Sequence, residues 1–547
     1  MNTPQNIPPL ASYDIDHLGI VAGIIDEIGI VEEIDALLGN HKQEVLSSGL
    51  SVKAMILNAL GFVSAPLYLF QEFFVGKATE LLLGEGIRPE HLNDDKLGKV
   101  LDKLYEADLS QVFVRIALKA ARHVGVDRRV VHLDATSFHV HGNYASPPAP
   151  PVTEPAAESM PGINITYGYS REQRPDLKQF MVDMISSSDA DVPLYFRAAD
   201  GNEADRAVFA KLIKAYQQQL DVEALFVADS ALYSAENLQS LSGLAWLSRV
   251  PQSIREAKQL LQTLDEDAFV ASSLPGYRIA EQQVTYGDVP QRWLIIASDP
   301  AQAQTDKQQG KQLAKQEQVQ AKALRALMQR PFHCRQDAEQ ALADFQKTLR
   351  VHQLANVAIV PKKKYAQRGR PTPDTPYTLL HYIQAQLVVN DAAVADQRKR
   401  SSRFILASNV LDPTRYSNDD LLSEYKAQQS VERGFRFLRD PLFFTSSVFL
   451  KTPARIAALA LIMALSLLVY TLGQRCLRHN LANQQATIRH QTGKPTSKPT
   501  LRWVFQMFQA VHLILLANQQ HISNLSLERQ NILGFLYPAC RKYYLLI

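Results

Sequence analysis

Residues Val130–Val140 read VVHLDATSFHV, an apolar, β-branched run with one carboxylate, Asp134, set inside it. Such a run predicts a strand. A carboxylate within a strand is costly unless it is paired or metal-bound. Downstream, the Pro/Ala stretch Pro147–Pro161 excludes regular structure. INITYGYS, LKQFMVDMISS and PLYFRAAD then read as strand-like runs, and residues from about Asp205 to Leu220 as a helix. ALFVADS is an apolar strand closing on Asp229, SAENLQSL a short helix and AWLSRV a further strand. After the Val130–Val140 run, the order three strands, helix, strand, helix, strand predicts a mixed α/β sheet rather than a plain alternating doubly wound one.

Upstream, DHLGIVAGIIDEIGIVEEIDALL, SVKAMILNALGF and LSQVFVRIALKAARHVG carry apolar residues at helical spacing, which predicts a separate helical domain. Gln302–Arg350 is Gln/Lys/Ala-rich and helical, and YRIAEQQVTYG, RWLIIAS, VAIV and QAQLVVN around it are short strand-like pieces. Together they read as a long insertion with its own small core. FILASNV resumes the sheet-like texture, and DDLLSEYKAQQSVERGFRFLRD is a strong helix. Ile456–Gly473 has no charge over eighteen residues, the length at which a membrane span is considered. It is Ala-rich, contains Ser466 and Thr471 and stands alone, so the core helix of a large protein is the preferred reading. Leu481–Thr500 reads as a polar linker and LRWVFQMFQAVHLILLAN as a final amphipathic helix. The expected divisions fall at residues 1–126, 127–250, 251–403, 404–480 and 481–547.

The 547 residues are 46% hydrophobic and 21% charged, which excludes a disordered or fibrous chain. The formal charge of +3 is unevenly spread: from Pro441 onward there are eleven Lys/Arg and one acid, Glu528. A basic tail on a near-neutral body points mildly to a polyanionic partner. Three scattered cysteines with no CxxC imply no disulfide framework, and MNTPQNIPPL lacks the features of a secretory signal. The expected location is the cytoplasm.

Three acids stand out by position. Asp134 lies within a strand, Asp229 at the carboxyl end of another, where ligands gather in open α/β sheets, and Glu432 in the middle of YKAQQSVERGFRF. Hard divalent cations want such oxygens in a compact cluster. Taken singly, each acid is equally readable as a cap, a turn residue or an ion-pair partner. At 100° per residue, Tyr425, Gln428, Glu432 and Arg439 share one helix face. The competing reading buries Leu422, Phe435 and Leu438 and leaves the polar groups solvated. KKKYAQRGR places Lys362, Lys363, Lys364, Arg368 and Arg370 within nine residues. It ends in RGRP, which resembles the core of minor-groove AT-hook segments; a solvated loop is the alternative. Arg433, Arg436 and Arg439 are candidate phosphate contacts, with Arg436–Asp440 pairing at i,i+4 as the alternative. His139 and His141 follow Asp134, so a His/Asp metal site is conceivable, although no HExxH or CxxC accompanies it.

These motifs resemble bacterial insertion-sequence DDE transposases, one branch of which marks its Glu helix with Y-x2-R-x3-E-x6-K. Tyr425, Gln428, Glu432 and Arg439 match that spacing, with Gln in place of Arg and Arg in place of Lys. LDATS, VADSALYS and YGYSREQRPDLKQ are similar to the family's other motifs. The resemblance covers about residues 125–480, and the long Asp229–Glu432 gap fits members with an insertion domain. It implies an RNase H-like fold, a mixed five-stranded sheet with flanking helices, interrupted by an α+β insertion domain and joined to helical N- and C-terminal regions. It also implies two Mg²⁺ ions, or Mn²⁺ in their place, held by Asp134, Asp229 and Glu432. The implied partners are double-stranded DNA (element ends and target) and a second copy of the chain in a homodimer, with no membrane. A catalytically silent DNA-binding descendant and a two-metal nuclease without strand transfer are the rival functions.

Overall fold

The computed structural model describes residues 10–39, 44–62, 65–140, 144, 163–169, 174–203, 205–219, 223–365, 376–438, 450, 452–516 and 519–546. Side chains at 205–208, 300–309, 311–312, 397, 400 and 429–438 are outside that description. The chain divides into two compact units, residues 1–247 with 423–547, and residues 248–422.

In the first unit a short strand, β1 (Leu10–Asp14), precedes helices at Leu18–Ile28, Ile30–Leu38, Ser48–Ala59, Asp94–Glu106 and Leu109–His123. The sheet begins with β2 (Val130–Val140) and β3 (Lys178–Ser187), which pair antiparallel, and β4 (Pro193–Ala199) pairs antiparallel with β3. Helix Asp205–Gln217 then carries the chain back, so that β5 (Leu225–Ala228) runs parallel to β2, as a parallel neighbour requires a crossover. After helix Ala235–Ser240, β6 (Ala245–Arg249) lies next to β5, so that within this unit the order runs β4-β3-β2-β5-β6. Val131, Leu133, Ile185, Phe196, Phe226 and Val227 are all buried. INITYGYS departs from the expected strand. β4 pairs with β3 only from Met181 onward, leaving Gln179 for a single bridge to Thr166.

Helix Pro453–Asn483 is long and apolar enough to span a membrane by length and composition, yet 94% of its apolar window is buried inside the protein. Its hydroxyls are satisfied within the helix: Ser466 Oγ donates to Ile462 O and Thr471 Oγ1 to Leu467 O, both at 2.8 Å. Charged residues pin its flanks. Arg455 grips Asp102 with two bonds of 2.8 and 2.7 Å, and Arg475 Nε donates to Asp189 at 2.9 Å.

The end of the chain corrects the expected final helix. That helix stops at Met507, Ala510 takes a positive φ of 63°, and His512–Leu516 is a strand. It pairs antiparallel with β1 on one side and with Gln519–Ser523 on the other. The apolar residues of HLILL suit a sheet position once a partner strand is present. The C-terminal helix Pro538–Lys542 lies against helix Leu18–Ile28, where a methyl group at Gly23 would run into the backbone of Cys540. Asp26 accepts from Lys53 at 2.6 Å and from Lys542 and Tyr543 at 2.5 Å each. The first and last segments of the chain therefore share one core.

In the second unit, β7 (Val270–Ala271), β8 (Tyr277–Tyr286), β9 (Val289–Ser298) and a later strand, Arg403–Ser408, form antiparallel neighbours. β10 (His352–Tyr365) and β11 (Tyr377–Val389) make a separate two-stranded ribbon. Phe332, Ala338, Leu342 and Ile383 form a small core between this ribbon and the helices Asp299–Gln329 and Arg335–Thr348.

Burial alone would raise the Asp26 carboxyl, but the charge of Lys53 and the bonds from Lys53, Lys542 and Tyr543 hold it below the usual carboxylate range. A depressed folded-state pKa gives stability that is complete above the unfolded value of about 3.9. It is lost as pH falls below that value and through the folded pKa. Asp26→Ala removes the counter-charge of buried Lys53 and is expected to cost about 3–5 kcal/mol in urea unfolding at neutral pH. A loss below about 1 kcal/mol, the range of exposed pairs, contradicts this account.

Candidate active site

The register of the parallel strands sets the geometry. β2 and β5 are matched from Val130↔Leu225 to Leu133↔Ala228. One step further along each chain stand Asp134 and Asp229. Neighbouring strands lie about 4.8 Å apart, and residues at matched positions face the same side. Asp134 and Asp229 thus stand one residue past the last matched pair of the parallel strands, and both are half-buried.

Local backbone fixes each acid. Asp134 Oδ1 accepts from the Ala135 N–H at 2.8 Å. Asp229 Oδ1 accepts from the Ala231 N–H at 2.8 Å, an Asx-type turn that ends β5. Ser234 then caps helix Ala235–Ser240 through Asn237 N. The β-strand stops because DSAL supplies this turn, so the sequence that ends β5 also aims its acid.

Glu432 lies in helix Asn418–Leu438, whose residues from Ser423 onward belong to the same unit as both aspartates. Its side chain, with those of Arg433 and Arg436, is outside the described residues, as is all of Arg439, Arg368 and Arg370. Gln428 is buried and Tyr425 half-buried. Among the described residues no group of three His, Cys, Asp or Glu is arranged to hold a metal, and the Glu432 side chain is not one of those residues. His139 lies an odd number of residues from Asp134 on β2 and so faces the other side of the sheet. That removes it from a shared His/Asp site; His141 is outside the described residues.

The sequence did not reveal one contact. His132, on the Asp134 face of β2, is fully buried, and its Nε2 lies 3.8 Å from Glu424 Oε2 on the helix that carries Glu432. The only signal available was parity, which places His132 and Asp134 on one face.

In the second unit, Lys362, Lys363 and Lys364 are exposed residues of β10 rather than parts of an irregular loop. They are paired with Leu380, Leu379 and Thr378 of β11. Lys362 Nζ lies 5.3 Å from the Tyr382 ring centre and Lys363 Nζ 4.3 Å from that of Tyr377.

The two aspartates thus stand at the end of a parallel strand pair, where ligands gather in α/β sheets, and a further acid lies on a helix of the same unit. Residues 125–469 match the family described as "Transposase DDE domain", and the chain belongs to that family. Residues 10–118 match a domain of unknown function, DUF4277. No curated protein matches the chain. Among solved structures, a piggyBac transposase synaptic complex with hairpin DNA is similar at 10% identity and a TM-score of 0.36. That match covers 95% of this chain and 84% of the other, a likeness too loose to bear on the fold. The chain is a DDE-type transposase enzyme with an extra N-terminal domain, and enzymes of its family use divalent metal ions.

Asp134→Asn and Asp229→Asn keep the bond to the backbone N–H but lose carboxylate oxygen, the donor that hard cations prefer. Added Mn²⁺ should raise the melting temperature of the wild type, by mass action on the folded state, and leave both variants unmoved. A wild-type melting curve insensitive to Mn²⁺ counts against a shared ion.

Proposed function

We propose that the chain is a transposase that cleaves the ends of an insertion sequence and joins them to target DNA by cut-and-paste transposition. The observation that carries this reading is the adjacency of Asp134 and Asp229 within the family match. Asp134 on the first strand of the sheet, Asp229 after the fourth and Glu432 on a later helix follow the order of an RNase H-like core. The strand order β4-β3-β2-β5-β6, with β2 and β5 parallel, supports the same architecture.

The donor set fits hard cations: all three acids offer carboxylate oxygen, which Mg²⁺ prefers. Asp134, Asp229 and Glu432 would hold two Mg²⁺ ions, or Mn²⁺ in their place. When bound, the ions supply Lewis-acid stabilisation of an in-line phosphoryl transfer. The chain's own work is positioning. The backbone bonds at Ala135 and Ala231 hold the two aspartates in a fixed aim. Tyr425 and Gln428 stand on the helix of Glu432, and with Arg433, Arg436 and Arg439 they would offer hydrogen-bond donors and positive charge to the scissile phosphate of double-stranded DNA. Lys362, Lys363, Lys364, Arg368 and Arg370 add backbone contacts from the insertion. A two-stranded ribbon is narrow enough to enter a major groove. Two element ends handled together call for a homodimer.

Asp134→Ala, Asp229→Ala and Glu432→Ala are each expected to abolish cleavage of a labelled element end while a gel-shift assay shows unchanged binding. Mg²⁺-dependent cleavage retained by any purified single variant contradicts the assignment of that acid. With a target plasmid present, the same assay separates the rival functions as binding alone, cutting alone, or cutting with joining. Neutralising the five cations of residues 362–370 should flatten the plot of log affinity against log salt by up to about 4.5, close to 0.9 per lost phosphate contact. An unchanged slope removes that segment from the DNA interface.

A further inference from the structure

His132 and Glu424 form a contact that the three acids do not explain. His132 has no exposed surface, and among the described residues neither ring nitrogen has a hydrogen-bond partner. Glu424 Oε2 is likewise shut from solvent, has no hydrogen bond among the described residues, and faces His132 Nε2 at 3.8 Å. Buried polar groups left in this state are costly, and packing alone is met elsewhere on β2 by Val131 and Leu133. The position is also specific. His132 precedes Asp134 by two residues and shares its face of the strand, about 7 Å away along it. Glu424 precedes Glu432 by eight residues, about 12 Å along the helix axis. The contact therefore fixes one point of the helix over the same strand face that presents Asp134.

We propose that His132 and Glu424 are positioning residues, whose contact seats the helix on β2 so that Glu432 reaches the ions held by Asp134. This rests on the reading of Glu432 as a metal ligand. Supporting contacts behind metal ligands commonly change metal affinity by about 10–100-fold when removed. The pair acts through the placement of Glu432 and touches neither DNA nor metal.

The test uses the full chain with His132→Gln, Glu424→Gln and the double variant, alongside His132→Leu and Glu432→Gln. Cleavage of a labelled end is followed across a Mg²⁺ titration, with metal-free end binding and thermal melting measured in parallel. Each single variant is expected to bind ends as the wild type does and to need at least about tenfold more Mg²⁺ for half-maximal cleavage. The double variant should match the single variants, because both changes remove one contact. His132→Leu, which restores volume without the polar contact, should show the same shift in Mg²⁺ requirement. A wild-type Mg²⁺ response in the single variants, or effects that multiply in the double, overturns the proposal. So does loss of cooperative melting in every substitution at these positions, which would make the pair a determinant of folding alone. Glu432→Gln separates the two levels. If it cleaves normally, the assignment of Glu432 fails; if it is inactive while the pair variants respond to Mg²⁺ as wild type, only the positioning role fails.

Discussion

The parallel register of β2 and β5 is the constraint on which the proposed site depends. β5 is only four residues long, and its register with β2 ends at Ala228, so the next position on each strand is an aspartate. Leu133, Phe226 and Val227 are buried, and β3 flanks β2 along nearly all its length, so the proposed site stands on rigid strands. Sites of this kind hold their geometry better than sites on loops.

The rest of the first unit supplies that rigidity by closing the chain on itself. The buried helix Pro453–Asn483 anchors to Asp102 and Asp189 through Arg455 and Arg475. The C-terminal strand pairs with β1, and the C-terminal helix packs into the space left by Gly23. A domain that looks separable at the N-terminus is completed by the last residues of the chain. Stability in this body is therefore a property of both ends together, and the cluster of Asp26, Lys53, Lys542 and Tyr543 is where they meet.

What could be read in the sequence was local. VVHLDATSFHV and ALFVADS are apolar runs bounded by turn residues, so their strands, and the placement of their acids, followed from pattern alone. The core helix at Ile456–Gly473 was legible for the same reason. Non-local pairing was not. HLILL was absorbed into a helix because its partner, Leu10–Asp14, lies at the other end of the chain. Lys362–Lys364 showed no alternation, and only the pairing with Leu380, Leu379 and Thr378 makes them a strand. INITYGYS has strand-like composition, but β3 offers it a single position. The His132–Glu424 contact joins residues remote along the chain, and helical angles could not supply it.

The central claim is that Asp134, Asp229 and Glu432 surround one shared metal site. It is tested most directly by replacing the native ion with Fe²⁺ and mapping where ascorbate-driven radicals cut the polypeptide of the full chain bound to an element end. Cuts confined to the neighbourhoods of residues 134, 229 and 432, and suppressed by excess Mg²⁺, are the predicted result. Cuts near only one of the three, or at places unrelated to them, would contradict it.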